Sequence, residues 1–423
     1  MSIRWGGEGG EPRSVEQHQA DAVGLARPLA RVELPLLDAL GTALCDDVVA
    51  PWSLPSFDNS AMDGYALRSQ DVRVAGNSDA VRLKVVGDVA AGRAGGASSG
   101  TVEPGSCVRI MTGAPIPLGA DAVVPVEWTD AGMDHVTVTM PCESGSNIRR
   151  AGEDVAAGDV VLRAGTRVGP SQVALLASVG MGRVGVHRRP RVAVVSTGSE
   201  LVEPGGQIHR GEIADANSLA LASAVSASGA EAIRLEHLPD DPIEVFEALR
   251  RLAAEADVIV TSGGVSMGAF DVVKQAFASY DGVRFVRVAM RPGMPQAIGM
   301  LGDDRDVLYF GLPGNPVSAR VSFELFVLPA IRTMLGYSSV FRPFVAARAA
   351  SDLRSSPGKI EYLRGRLDAG VDPAVFVPVG GRGSHLIAGM AGANALGVVP
   401  EHEVSVAAGA RIMVLPLSGE EWG

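Results

Sequence analysis

The chain has 423 residues, more than one hydrophobic core of ordinary size accommodates, and its 47% hydrophobic and 20% charged content is that of folded material divided among several domains. Its 37 basic and 48 acidic side chains give a net charge of -11, which disfavours nonspecific attraction to nucleic acid or an anionic membrane but leaves room for a local basic pocket. Cys45, Cys107 and Cys142 are too few and too far apart for a disulfide framework or a tetrahedral zinc site, and no run approaches the roughly 18 apolar residues of a spanning helix. Met1 to Arg13 lacks an apolar signal core, so a soluble cytoplasmic protein is expected.

In chain order, Ser14 to Val49 reads as a helical stretch. Short apolar or alternating runs follow at Val81 to Val86, Cys107 to Met111, Ala122 to Val126 and His135 to Val138, separated by Gly, Pro and Asp, and predict a small β-rich module. Gly152, Gly158 and Gly165 punctuate the next stretch, and Ser171 to Val179 resembles a helix. The expected organisation is a discontinuous linker domain, 14–57 plus 150–187, interrupted by the β-rich module at 58–149.

From 188 to 337 the periodicity alternates between strand and helix. Arg191 to Val195 predicts a buried strand, Asn217 can cap a helix ending before Gly229, and Glu231 to Leu238 returns to strand. Asp241 at N-cap, Pro242 at N1 and Glu244 at N3 mark the clearest helix start, with Phe246, Leu249, Leu252 and Ala253 on one face. Further strands are predicted at Asp257 to Val260, Val283 to Val288 and Val307 to Phe310. Such alternation implies a mostly parallel sheet covered on both faces, with ligands beyond the carboxyl ends of its strands. Two small-residue loops fall there, Thr261 to Gly268 and Leu312 to Ser318, and their backbone N–H groups at Gly263, Gly264, Ser266 and Gly314 could cradle phosphates; tight turns also need glycine when nothing binds. After Arg342, runs at Ile360 to Leu363, Val375 to Val379, Leu396 to Val399 and Ile412 to Leu415 predict a C-terminal β domain, 338–420, either a barrel or an open sheet.

Four tracts carry a resemblance: Phe57-Asp58-Asn59-Ser60-Ala61-Met62-Asp63-Gly64-Tyr65-Ala66, Met111-Thr112-Gly113-Ala114-Pro115, Ser262-Gly263-Gly264-Val265-Ser266 and Leu312-Pro313-Gly314-Asn315-Pro316-Val317-Ser318. In this order, from about Ser14 to about Pro416, they resemble the molybdopterin molybdenumtransferase (MoeA) family, related to the gephyrin E domain. The resemblance implies a four-domain homodimer that inserts molybdenum from molybdate into adenylylated molybdopterin, with Mg2+ assisting and AMP leaving. It also implies contact with the molybdopterin adenylyltransferase and with cofactor-accepting enzymes, and catalytic roles for Asp63, Thr112, Glu200, Asp240 and Asp271, with Asp63 and Thr112 reaching the partner subunit's cleft.

That chemistry needs hard oxygen ligands and positive charge. The four carboxylates Asp63, Glu200, Asp240 and Asp271 are the Mg2+ candidates. Asp63 reads equally as a turn residue, Glu200 as a loop acid, Thr112 as a hydroxyl turn and Asp271 as the cap of a helix through Ala278. Substrate contacts are expected from Ser262, Gly263, Gly264, Ser266, Pro313, Gly314, Asn315 and Pro316, and from Arg287 and Arg291, which would face alike on one strand. Molybdate would meet Arg291, Pro295, Arg364 and Ser384, but where the family commonly has a second lysine this chain has Met294, whose thioether cannot neutralise an oxyanion. An adenylyltransferase, a scaffold without catalysis and a molybdate-binding module are the alternative readings. The Phe57 to Ala66 tract and the C-terminal module favour molybdenum insertion over the first, the retained carboxylates over the second and the pterin-type loops over the third.

Overall fold

A computed structural model describes residues 11–76, 79–92, 101–238, 240–265, 271–302 and 306–417. The chain divides into two compact units, one of residues 1–46, 164–169 and 183–423, the other of residues 47–163 and 170–182.

The larger unit is built on a six-stranded sheet. Its order is Glu231–Arg234, Arg191–Ser196, Val258–Ser262, Val307–Leu312, Pro295–Leu301 and Val283–Arg287. Five of the six strands run in one direction and only Pro295–Leu301 is reversed, antiparallel to both its neighbours, as expected for a mostly parallel sheet. Alternate residues leave opposite faces. Val192, Val194, Val258 and Val260 pack with Leu221 and Val225 of helix Ala216–Ala227, while Ala193, Val195 and Ile259 pack with Val245 and Leu249 of helix Pro242–Ala253. Both faces are therefore covered, which is why the central strand Val258–Ser262 is buried at every position.

Several local expectations need correction. The strand after Gly229 ends at Arg234 instead of Leu238, and the helix after Asp271 is only Val272–Ala276. Helix Ala216–Ala227 is capped by Asp215, whose side chain accepts from Ser218 N; Asn217 lies inside the first turn, free to point elsewhere. The N-terminal stretch contains one helix, Val15–Leu25, closed by a Ser14–Gln17 capping box, and then turns to strand Arg31–Pro35, which pairs antiparallel with Arg183–His187. Asp241 does cap Pro242–Ala253, accepting from Ile243 N and Glu244 N at 2.9 Å each.

In the C-terminal region the choice between barrel and open sheet resolves to a barrel. Ile360–Asp368, Val375–Pro378, Val345–Ala349, Arg411–Pro416 and Ala395–Val399 pair in that order, and the last returns to the first. Phe376 fills the interior, where Gly365 and Gly397 leave room for its ring. A short strand, Met290–Arg291, pairs with the barrel and sets Arg291 opposite Glu361.

The smaller unit holds a five-stranded sheet ordered Ala122–Pro125, Gly64–Leu67, Ser106–Ile110, Val81–Val89 and His135–Val138, and the helix Pro170–Ser178. Tyr65, Leu67, Leu83, Val124 and Val136 form one core and Ala66, Val108, Ile110 and Val123 another, as the alternation of the sequence requires. No helix among the described residues is long and apolar enough to cross a membrane.

Candidate active site

At the carboxyl ends of the parallel strands the larger unit opens a cleft of about 1030 Å³. Three strand-end loops wall it. Ser196 to Gly198 closes strand Arg191–Ser196, Ser262 to Val265 closes Val258–Ser262 and Pro313 to Asn315 follows Val307–Leu312. Gly263 and Gly264 have φ of 96° and 69°, and a Cβ on Gly264 would lie 2.3 Å from Val273 Cγ2. The turn therefore needs glycine for its own geometry, independently of any ligand.

The side chain that joins these loops is Asn217. Its Nδ2 donates to Ser262 Oγ at 2.9 Å and to Gly314 O at 2.6 Å, spending both amide hydrogens on two different loops. Behind it, buried Asp215 accepts from Ser196 Oγ at 2.8 Å, so the helix cap also fixes the end of strand Arg191–Ser196. Both residues line the cleft. The sequence reading treated Asn217 as a cap; an Asx pair two residues apart before a helix was the signal that one of them had another task.

Glu200, Asp240 and Asp271 all line the same cleft. Asp240 Oδ2 accepts from Ser199 N at 3.0 Å while Asp240 N donates back to Ser199 Oγ at 3.2 Å, clipping two loops together. Glu200 folds its carboxylate against Gly198, where a Cβ would meet it at 2.6 Å. Asp271 is buried at the start of Val272–Ala276, lines the cleft, and makes no capping hydrogen bond to that helix.

Ser262, Gly263, Gly264, Arg291, Pro295, Pro313, Gly314, Asn315, Pro316 and Ser384 also line the cleft, and Ser266 lies outside the described residues. Asp63 and Thr112 belong to the β-rich unit, where Asp63 Oδ1 accepts from Thr112 N at 2.7 Å and from Thr112 Oγ1 at 2.8 Å. The backbone donor, then the hydroxyl, hold the Asp63 carboxyl below its usual range, so it is ionised at neutral pH.

The arginines are arranged differently from the expectation. Arg287 and Arg291 do not share a strand: Val283–Arg287 ends, Arg13 bridges beside Val288, and Met290–Arg291 begins a separate strand. Arg287 is exposed, is not among the residues lining the cleft, and places Nη2 3.7 Å from Met294 Sδ. Met294 is half-buried and likewise does not line the cleft. Arg364 lies in the barrel, 6% exposed, and lines an adjoining cavity of about 130 Å³ instead. It donates to Gly383 O at 3.0 Å and to Gly381 O, and burial lowers its pKa below the usual guanidinium value.

The donor set suits Mg2+. Its ligands are hard oxygens, and it takes one or two carboxylates while keeping waters and substrate phosphates, so it does not require a closed protein cage. Glu200, Asp240 and Asp271 supply such oxygens around the cleft, but among the described residues no three His, Cys, Asp or Glu side chains converge into a preformed metal site, so the ion would have to share these carboxylates with water and substrate oxygens.

Comparison with known proteins matches the MoeA N-terminal region (domain I and II) over residues 13–180, the probable molybdopterin-binding domain over 193–333 and the MoeA C-terminal region (domain IV) over 346–417. The chain is 44% identical over 412 residues to molybdopterin molybdenumtransferase 2 of Mycobacterium tuberculosis, covering 96% of this chain and 100% of that one. The chain belongs to the molybdopterin molybdenumtransferase family. The Haemophilus influenzae family member is 36% identical over 388 residues, covering 91% of this chain and 93% of its own. The crystal structure of the molybdopterin biosynthesis MoeA protein of Pyrococcus horikoshii superposes with a TM-score of 0.80 at 28% identity, covering 96% of this chain and 100% of that one.

One cation at this cleft was given no role by the sequence reading. Arg382 lines both the cleft and the adjoining cavity. Its signal was available: an arginine set between Gly381 and Gly383, two residues before Ser384.

Proposed function

We propose that this chain inserts molybdenum, taken up as molybdate, into adenylylated molybdopterin and releases AMP. The family is one of transferases in molybdenum cofactor biosynthesis. The observation that carries the reading for this chain is the division of charge in one cleft: carboxylates stand on the strand-end loops and guanidinium groups on the side toward the barrel. A phosphoanhydride with its cation and a second, tetrahedral oxyanion are the two charged guests such a cleft separates.

The Ser262 to Val265 and Pro313 to Asn315 loops grip the pterin end of the substrate, and Asn217 keeps them in register. Glu200, Asp240 and Asp271 would hold Mg2+, which when bound polarises the phosphoanhydride. Arg291 and Ser384, with Arg364 from the adjoining cavity, hold the oxyanion near the dithiolene. An oxygen nucleophile then cleaves the anhydride and AMP leaves. Asp63 and Thr112 act on the cleft of a second protomer in a cytoplasmic homodimer, which makes a monomeric form inactive.

Purified protein incubated with adenylylated molybdopterin, Mg2+ and molybdate is expected to yield AMP and molybdenum cofactor together. Binding of the pterin without AMP would instead indicate a scaffold. AMP-forming turnover absent here, but consumption of ATP with molybdopterin, would indicate an adenylyltransferase.

A further inference from the structure

The cleft and the adjoining cavity share three residues, Arg291, Pro292 and Arg382. Two guanidinium groups therefore stand where the two spaces meet. Both are tied to one carboxylate. Glu361 Oε1 accepts from Arg382 Nε at 2.9 Å and Nη2 at 2.6 Å, and lies 3.9 Å from Arg291 Nε. Its Oε2 accepts from Ser356 N at 3.2 Å, while Ser356 Oγ accepts from Arg291 Nη1 at 2.8 Å.

Exposure gives this cluster a direction. The Glu361 side chain is 3% exposed, those of Arg382 and Arg291 are 40% and 44% exposed, so the anion is sealed inside and the cations face the cavity. A guanidinium carries five N–H donors. Glu361 engages the Nε and Nη2 edge of Arg382, which leaves Nη1 without a partner among the described residues, and Arg291 Nη2 is likewise unengaged. The small cavity is lined by Arg291, Arg354, Arg364 and Arg382 against Asp352 and Glu361; four cations and two anions leave a net charge of +2. That charge matches a tetrahedral dianion. Meanwhile Met294 points its sulfur at Arg287 and lines neither space.

We propose that Arg382 is a further cationic contact to the oxyanion substrate, beside Arg291 and Arg364, and that buried Glu361 is the positioning residue that aims Arg382 and Arg291 at it. This rests on the proposed function for the identity of the oxyanion as molybdate. An arginine held by one edge presents its remaining amino group in a fixed direction, so little rotamer freedom is lost when the anion binds. Glu361 achieves this at the cost of one unit of attraction, and that trade is what separates positioning from simple charge.

The test is calorimetric titration of the full-length protein with sodium molybdate, alongside AMP release with molybdate varied and melting curves for each variant. Arg382→Gln is expected to raise both the molybdate Kd and the molybdate KM about tenfold, the loss of one charge-assisted hydrogen bond, with the KM for adenylylated molybdopterin within about twofold. Arg382→Lys keeps charge without the fork and is expected to raise Kd about threefold; it serves also if the glutamine variant does not fold. Glu361→Gln adds a net positive charge, so a purely electrostatic role predicts tighter molybdate, whereas positioning predicts a Kd about tenfold weaker. An unchanged molybdate Kd in folded Arg382 variants, or a tighter one in Glu361→Gln, overturns the inference. Absence of AMP release by the wild-type protein would overturn the proposed function instead, and is read from a different measurement.

Discussion

Replacing Asn217 by alanine tests whether one amide holds the two substrate loops in register. The amide assignment is fixed by its partners, because Gly314 O can only accept and so must face Nδ2. Two hydrogen bonds disappear in Asn217→Ala, each worth about 1 kcal/mol net. Neither partner is stranded: the Gly314 carbonyl belongs to an exposed residue that water can reach, and Ser262 Oγ lies within 3.4 Å of Pro313 O. Alanine in a first helical turn also returns roughly 0.5 kcal/mol of helix propensity. The net loss is thus about 1 to 1.5 kcal/mol, about 1 to 2 degrees in melting temperature for a chain of this size. The functional cost should exceed it, because the loops are then free to part before substrate binds. Calorimetry, amide exchange at Gly263, whose N–H is bonded to Leu312 O at 3.1 Å, and the KM for adenylylated molybdopterin measure the three consequences. Wild-type exchange and KM in a variant that melts lower would refute the claim that this amide organises the loops.

Three further outcomes follow from the same structure. His18 is fully buried against Phe326, its rings 4.5 Å apart, and burial, then nearby Arg13, lowers its pKa to about 3. The unfolded chain therefore binds a proton between about pH 6.5 and 3 that the folded one does not; stability falls as pH drops through that window, by about 2 kcal/mol at pH 5, and urea titrations at pH 5 and 8 should show this contribution vanish in His18→Leu. Gly264→Ala forces a φ of 69° on an L-residue and drives its Cβ into Val273, so a loss of about 2 to 4 kcal/mol is expected by denaturant midpoint, and a wild-type midpoint would refute the steric argument. Asp271→Ala is expected to abolish AMP release with little change in melting temperature; near-normal turnover by the folded variant would remove Asp271 from the catalytic set.

Features set by neighbouring residues were legible in the sequence, and features set by distant pairing were not. Asp241, Pro242 and Glu244 announce a helix start because capping needs only residues within one turn. Strand Pro295–Leu301 went unread: its pattern of Pro, Gln and Gly carries weak strand propensity, and it forms because Val283–Arg287 and Val307–Leu312 supply partners on both sides. Barrel closure depends on Ile360–Asp368 meeting Ala395–Val399, a register that no local run encodes. In the cleft, the glycine loops and the three carboxylates Glu200, Asp240 and Asp271 were legible because strand ends collect ligand-facing loops. Arg287 was misjudged since period-two reasoning assumed an unbroken strand, and the chain breaks at Val288, where Arg13 bridges alongside.

A cleft that carries carboxylates and guanidinium groups faces a physical hazard, because free to meet they would neutralise each other and leave neither for a guest. This fold restrains each set locally. Asp240 is held by Ser199 N on the strand-end side, and Arg382 by buried Glu361 on the barrel side. The pairing of Met290–Arg291 with Ile360 and Glu361 sets the position of the second group, since it brings Arg291 and its carboxylate partner into register across two strands. Pairing with Glu361 therefore lowers the positive charge on the barrel side, while the neutral Ser199 donor holds Asp240 without cancelling its charge, and the polarity that a substrate with an anhydride at one end and an oxyanion partner at the other requires is preserved. It follows that exchanging Glu361 for a neutral residue damages the site by releasing the arginines toward the carboxylate wall, even though it makes the pocket more positive.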